Sequence, residues 1–261
     1  MKNRLIAITI VKNEENNYLR SWLKSIGKIA DYHIFLDDAS DDNTPNIIEE
    51  HLKKYSGKLY RSKKSIFLEL RSRLWRYVRS EAHEGDWILI VDADEFYDRH
   101  ILQLKPKLLN NKFPDIEVVK VSCLDMWDAH AYRTDGHWSP YATDTRLIRF
   151  HNVPFGEKNK FLHQPPYPAS TDLSKNLDIW IPKIHFAYLR EKDKKRRYDF
   201  YTSYVSPKQN PVGYKHALSI MDKNIETKKY FNLYHTILAG LHGDVLYFIA
   251  KSTAATENDE I

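Results

Sequence analysis

The stretch Trp87-Ile88-Leu89-Ile90-Val91-Asp92-Ala93-Asp94-Glu95 decides how this chain is read. Five consecutive apolar residues, rich in isoleucine and valine, read as a strand covered on both faces. That strand stops abruptly at a cluster of carboxylates. The same pattern occurs twice upstream: Leu5–Val11 runs into Lys12-Asn13-Glu14-Glu15, and His33–Leu36 runs into Asp37-Asp38-Ala39-Ser40-Asp41-Asp42-Asn43-Thr44. Between these runs, Asn16–Ile29 carries Tyr18, Leu19, Trp22, Leu23 and Ile26 at helical spacing, and Pro45 opens a helix with Ile47, Ile48 and Leu52 on its apolar side. Lys58–Arg61 reads as a short strand and Phe67–Arg79 as a helix. Strand alternating with helix predicts an α/β fold, a mainly parallel open sheet with helices on both faces. Ligands of such sheets bind outside the carboxyl ends of the strands, so all three polar clusters belong on one edge.

Asp92-Ala93-Asp94 has the chemistry to meet a hard divalent cation and a sugar hydroxyl together, because Mg²⁺ and Mn²⁺ prefer carboxylate and phosphate oxygens. Its plainer reading is a solvated strand end, where aspartate is common. Asp42 or Thr44 suits a helix cap, and Asp38 suits a ligand contact. Neither of the first two loops is glycine-rich, so no P-loop or dinucleotide fingerprint is present.

Downstream the alternation decays. Ile116–Leu124 and Arg146–Phe150 read as strands, Asp125–Tyr141 is loop-rich, and Pro165-Pro166-Tyr167-Pro168 marks an irregular loop. Pro211–Phe248 reads as two or three helices and Ala254–Ile261 as a frayed tail. Arg190–Arg197 reads as a solvated helix or loop, the alternative being a lid over a diphosphate or a patch that meets anionic membrane or glycan. Tyr234, Leu238, Leu241, Val245 and Phe248 recur at helical spacing and read as core or dimer face before membrane anchor.

At 261 residues and 42% hydrophobic, the chain has enough apolar material for one large α/β domain. A net charge of +5 permits a local anion site and gives no motive for nucleic-acid binding. The single cysteine, Cys123, excludes an internal disulfide and any cysteine-based zinc site; in its apolar run it reads as a small buried hydrophobe. No run reaches the length of a membrane span, which makes a soluble, cytoplasmic protein the expectation.

Taken in order, Val11-Lys12-Asn13-Glu14-Glu15, Leu36–Thr44 and Val91–Phe96 resemble the three signatures of glycosyltransferase family 2, most clearly over residues 4 to 100. The resemblance implies a GT-A fold and transfer of a sugar, with inversion, from a nucleoside-diphosphate donor, expected to be UDP-linked, to a glycan or lipid-linked acceptor. It implies a nucleotide-sugar-binding half over 1–100, an acceptor-side half over 101–205 and a C-terminal helical extension over 206–261, the last open to a homodimer or peripheral membrane contact. Position by position, Val11, Asn13 and Glu14 would line the base pocket and Asp38 would hold the base or ribose. Arg71 or Arg73 would approach the donor, and Asp92 with Ala93 would meet ribose or sugar hydroxyls. Asp94 would coordinate Mn²⁺ or Mg²⁺, with His185 as a second metal ligand or, in its plainer reading, a core residue. The later segments Arg146–Phe150, His163-Gln164 and Lys183–Tyr188 are similar to bacterial cell-surface-glycan members, which usually have His-Glu where this chain has His163-Gln164. Inverting transfer needs a general base. Asp125, Asp128, Asp135 and Asp144 are candidates, with Asp144 first and Asp128, beside a Trp127 suited to sugar stacking, second. A non-catalytic nucleotide-sugar-binding protein of the same fold is the alternative, and a haloacid-type phosphohydrolase fits poorly because its D-x-D sits on the first strand.

Overall fold

Alternating burial along the central strands dictates a sheet covered on both sides. In β1 (Leu5–Val11) and β4 (Trp87–Ile90), Leu5, Ala7, Trp87 and Leu89 enter one core, while Ile6, Ile8, Ile88 and Ile90 enter another. The structure, a computed structural model, describes residues 2–229 apart from 66–68, 142, 157–164, 205–206 and 209.

The first core lies under α1 (Leu19–Ile29), α2 (Thr44–Leu52) and α4 (Ile101–Leu109), which contribute Trp22, Leu23, Ile26, Ile48, Leu104 and Leu108. The second lies under α3 (Leu70–Glu81), through Leu70, Leu74, Trp75 and Val78. Each such side chain, once fully buried, stabilises the fold by about 1.5–3 kcal/mol before the entropy of ordering it is counted.

The remaining strands are β2 (Tyr32–Asp37), β3 (Gly57–Arg61), β5 (Glu95–Tyr97), β6 (Val118–Asp125), β7 (Ala131–Arg133), β8 (Thr143–Arg149), β9 (Asn176–His185) and β10 (Thr227–Lys229). Of the ten strands among the described residues, eight form one sheet in the order β3-β2-β1-β4-β8-β6-β9-β5. The pairs β3–β2, β2–β1, β1–β4 and β6–β9 are parallel, and β8 and β5 run against their neighbours. The mainly parallel open α/β sheet expected from sequence is thus observed. Because β8 is inverted, its amino end lies at the same edge as the carboxyl ends of β1, β2, β4, β6 and β9.

Several details differ from expectation. Strand β9 is ten residues long, and its register with β6 shifts between Val121 and Cys123. Where Pro211–Phe248 read as helices, α6 (Pro211–Ser219) is followed by the short strand β10, which pairs antiparallel with β7. That pairing is anchored by Thr134 N–H donating to Glu226 O and by Glu226 N–H donating to Asp135 Oδ1. The basic run is helical, in α5 (Glu191–Tyr204), and is solvated along Glu191, Lys192, Lys195 and Arg196, while Asp193 and Lys194 are buried. Among the described residues no helix is long and apolar enough to cross a membrane. Tyr234, Leu238, Leu241, Val245, Phe248 and the tail lie outside the described residues.

Candidate active site

The first two loops of the edge fold as one unit. Asn13 N–H donates to Ser40 Oγ (2.9 Å), and Asp41 N–H donates to Asn13 Oδ1 (3.0 Å). Glu14 N–H donates to Thr44 Oγ1 (2.7 Å), and Glu15 N–H donates to Asp42 Oδ2 (3.0 Å). Asp42 Oδ1 also accepts from Thr44 N–H at the start of α2, the capping part expected of it. Asn13 and Ala39 both hold positive φ, +54° and +57°, which asparagine tolerates better than most residues. Asp38 is buried behind this brace, and its Oδ2 accepts from Ser65 Oγ (2.6 Å) and lies 3.5 Å from Lys12 Nζ.

The turn after β4 is held from below. Glu95 is fully buried; its Oε2 accepts from Asp92 N–H, and its Oε1 pairs with Arg146 (2.9 Å) and Lys183 (2.5 Å). Burial alone would raise the Glu95 carboxyl, but the two cations overcome it and hold Glu95 below the usual range. Arg146 and Lys183 also bind Asp144 Oδ2, at 2.7 and 3.3 Å, and keep that carboxyl low against the opposing effect of burial. Beside this network is a cleft of about 330 Å³ lined by Ile10, Arg71, Asp92, Asp144, Arg146 and Tyr167. Asp92 is solvent-exposed at its mouth, and the surrounding protein mass, then the Glu95 charge, pushes its carboxyl up.

The second half of the site is built by strand register. β9 lies between β6 and β5, and one register position aligns Asp125, His185 and Glu95. His185 therefore sits beside Asp94 although 90 residues separate them. His185 Nδ1 lies 2.6 Å from Asp125 Oδ1, and Nε2 lies 3.6 Å from Asp94 Oδ1. Burial would lower the imidazole, but Asp94 and Asp125 together push it well above its ordinary value. Asp94 Oδ2 accepts from Arg197 of α5 at 2.6 Å. Against the effect of burial, His185 and Arg197 hold the Asp94 carboxyl far below the usual range. Glu14, bonded by Asn17, is pushed up to about 7 by burial and then by the Asp94 charge. So Glu14 senses the Asp94 end of the site.

Sequence reasoning and geometry part company at several positions. Val11 and Ala93 are buried in the first core, so they offer a ligand backbone rather than side chain. Of the two arginines weighed for the donor, Arg71 lines the cleft. Asp128 accepts from the N–H groups of His130 and Ala131, which commits its Oδ1 to a turn. Trp127 is buried, stacked on Tyr188 and edge-on to Trp138, which leaves no face for a sugar. Cys123 is no buried hydrophobe: the thiol is half-buried and 3.8 Å from Asp125 Oδ2, within a cluster with His185 whose ligand atoms lie within 4.8 Å of one another. A lone cysteine can join a mixed ligand set, which cysteine counting alone overlooks. Sequence reasoning gave Arg197 no contact with Asp94 and Asp125 no contact with His185; both depend on distant segments meeting. His163-Gln164 lies outside the described residues.

Carboxylates gather at the carboxyl edge of an open, mainly parallel sheet, the place where α/β sheets of this kind bind their ligands. The family model for Glycosyl transferase family 2 matches residues 6–158, more than half of the chain. The chain belongs to that family. Among solved structures it is similar to residues 1–349 of TarS from S. aureus, with 14% identity and a TM-score of 0.50, over 84% of this chain and 71% of that one. It is also similar to the mannosyltransferase PcManGT from Pyrobaculum calidifontis in complex with GDP-Man and Mn²⁺, with 12% identity and a TM-score of 0.51, over 87% of this chain and 66% of that one. A longer TarS structure is covered over 42% of its length. At these identities the likeness speaks to the fold alone. No curated protein matches the chain.

Proposed function

We propose that this chain is an inverting glycosyltransferase that moves a sugar from a nucleoside-diphosphate donor, UDP-linked, to a hydroxyl of a glycan or lipid-linked acceptor, with Mn²⁺ or Mg²⁺. The observation that carries the reading is the facing pair Asp94 Oδ1 and His185 Nε2, 3.6 Å apart at the sheet edge, two residues along the chain from the Asp92 that lines the cleft. A carboxylate oxygen and an imidazole nitrogen at that separation suit two ligands of one small divalent ion. The Arg197 guanidinium on Asp94 Oδ2 marks the same spot as one that takes a cation. When bound, the ion supplies positive charge against the leaving diphosphate.

The chain's own groups divide the remaining work. Asp125 accepts from His185 Nδ1, which turns Nε2 toward Asp94; with an ion in place of the Nε2 proton, that bond would hold the remaining proton on Nδ1, as carboxylates behind metal-binding histidines do. Asp38 and Arg71 hold the nucleoside end, and Asp92 holds ribose or sugar hydroxyls. Asp144 faces the cleft as an ionised carboxylate and takes the acceptor proton; Asp128, committed to its turn, does not. On this reading residues 1–100 serve the donor, 101–205 the acceptor, and 206–261 extend the domain.

A calorimetric titration of UDP, GDP and dTDP with and without Mn²⁺, on wild type and Asp94→Ala, tests this. One nucleotide binding only with metal, and losing that dependence in Asp94→Ala, is the expected result. Equal affinity with and without Mn²⁺, or metal-dependent binding retained in the variant, removes the assignment. Metal-dependent binding with no turnover of any donor favours the non-catalytic alternative.

A further inference from the structure

We infer that Tyr141 and Trp180 form an aromatic platform that takes a saccharide acceptor, an inference that rests on the transferase reading above. These are the most exposed aromatic side chains among the described residues, at 75% and 57%, and their rings lie 5.9 Å apart with a 39° tilt. Nothing in the fold accounts for them. A tryptophan at that exposure on a ten-residue strand gains little from packing, and Ile181 beside it is buried.

Their place gives them a use. Ile179 and Ile181 pack toward the first core, so strand alternation puts Trp180 on the opposite, open face of the sheet. Val121 of β6 pairs with Asp144 on one side and Ile179 on the other. Two strand spacings, about 10 Å, therefore separate the Asp144 backbone from that of Ile179, next to Trp180. Tyr141 precedes β8 by one residue beyond Ala142 and arrives from the same edge.

The direction of the donor selects the occupant. The nucleoside end is assigned to Asp38 and Arg71, and the sugar end to Asp92 and Asp94. Continuing along that line leads across β8 and β6 toward β9, where an acceptor must enter to meet the donor sugar beside Asp144. The C–H groups on one face of a pyranose form an apolar patch that packs on an aromatic ring, while the ring edge stays wet. Polar neighbours complete such a site: Thr143 is exposed two residues from Tyr141, and Asp178, exposed two residues from Trp180 on the same face, pairs with Lys120. Two rings set among hydroxyl, carboxylate and ammonium groups suit a saccharide better than the broad apolar patch of a protein or membrane contact.

The test uses cellotriose, maltotriose, chitotriose and mannotriose as probes, each in saturation-transfer NMR on the full chain with UDP and Mn²⁺. At least one probe shows saturation of its ring C–H protons, and Trp180→Ala weakens it by about fivefold or more, the scale of one aromatic contact. Trp180→Phe loses less, and Tyr141→Ala falls between. UDP affinity with Mn²⁺ stays at the wild-type value in all three, which also shows that they fold. The platform is overturned if wild type binds UDP with Mn²⁺ but none of the four probes, or if Trp180→Ala binds them as wild type does. It is overturned equally if Trp180→Ala instead loses binding to phosphatidylglycerol vesicles, which would make this face a membrane contact. Wild type that binds no nucleotide sinks the transferase reading, whereas the Trp180-dependent loss of a sugar would still stand.

Discussion

His33 is a buried histidine in the middle of a parallel strand. Its ring stacks on Phe35 and meets His51 edge-on, and neither ring nitrogen has a hydrogen-bond partner among the described residues. Burial, then the neighbouring His51, pushes its pKa down to about 3, and His51 itself falls to about 4, chiefly by burial. The folded chain therefore binds these protons less readily than the unfolded chain does. Stability from this source is full above the unfolded value near 6.5 and is lost as pH falls below it toward the folded values. At pH 5, His33 alone costs about 2 kcal/mol relative to pH 7. Urea unfolding of wild type and His33→Phe at both pH values measures it: the variant should lose about 2 kcal/mol less than wild type between them. An identical loss in both proteins would mean that the ring is reached by water or finds a partner. Sequence gave no hint of this, since a histidine inside an apolar run looks the same whether or not its ring is solvated.

Among the elements, α5 stands out because it bears on the site without belonging to the sheet. Arg190 bonds Asn17 and lies over the Tyr18 ring, and Arg197 reaches Asp94, so the start and middle of the helix are pinned to the carboxyl edge of the sheet. On the proposed reading, Arg197 and a divalent ion would compete for the same carboxylate. Removing the guanidinium with Arg197→Met should tighten Mn²⁺ binding by the nucleotide-free protein about tenfold, as expected from deleting one nearby like charge at a partly buried site. Electron paramagnetic resonance of free Mn²⁺ reads this directly, and an unchanged or weaker affinity would show that Arg197 does not compete. The charge run 190–197 announced a basic helix but not which carboxylate it would find. The same limit applies elsewhere. β1, β2 and β4 were legible because burial on both faces writes a continuous apolar run. β9 was not, because Pro182 and the exposed Trp180 interrupt the pattern at the place where its register with β6 shifts. β5 is three residues long and α4 contains Pro106, so neither displays a period. Asp92, Asp94 and Asp38 could be placed at the sheet edge from local pattern alone. The meeting of His185 with Asp125 and Asp94 is a property of strand order, which no local window contains.

Across the whole molecule, the site draws on segments that are otherwise held apart by the sheet. The braced loops at 13–15 and 40–44 belong to the first part of the chain, Asp144 and His185 come from β8 and β9, and Arg197 comes from α5. A donor bound across this edge would contact several of these segments at once, and none of those contacts survives in the unfolded chain. Binding free energy should then appear as global stability. With nucleotide and Mn²⁺ at about one hundred times the dissociation constant, mass action adds about 2.7 kcal/mol. For a domain of this size that corresponds to a rise in Tm of about 5–10 °C. On the proposed reading the rise should need both components, because the nucleotide's diphosphate and the Asp94–His185 pair would each supply only some of the ion's ligands, and it should vanish in Asp94→Ala. Differential scanning calorimetry with UDP alone, Mn²⁺ alone and the two together separates the cases. A full shift with UDP alone would place the diphosphate on the chain's own cations, Arg71, Arg146 and Arg197, and would remove the metal from the reading while leaving the nucleotide edge intact.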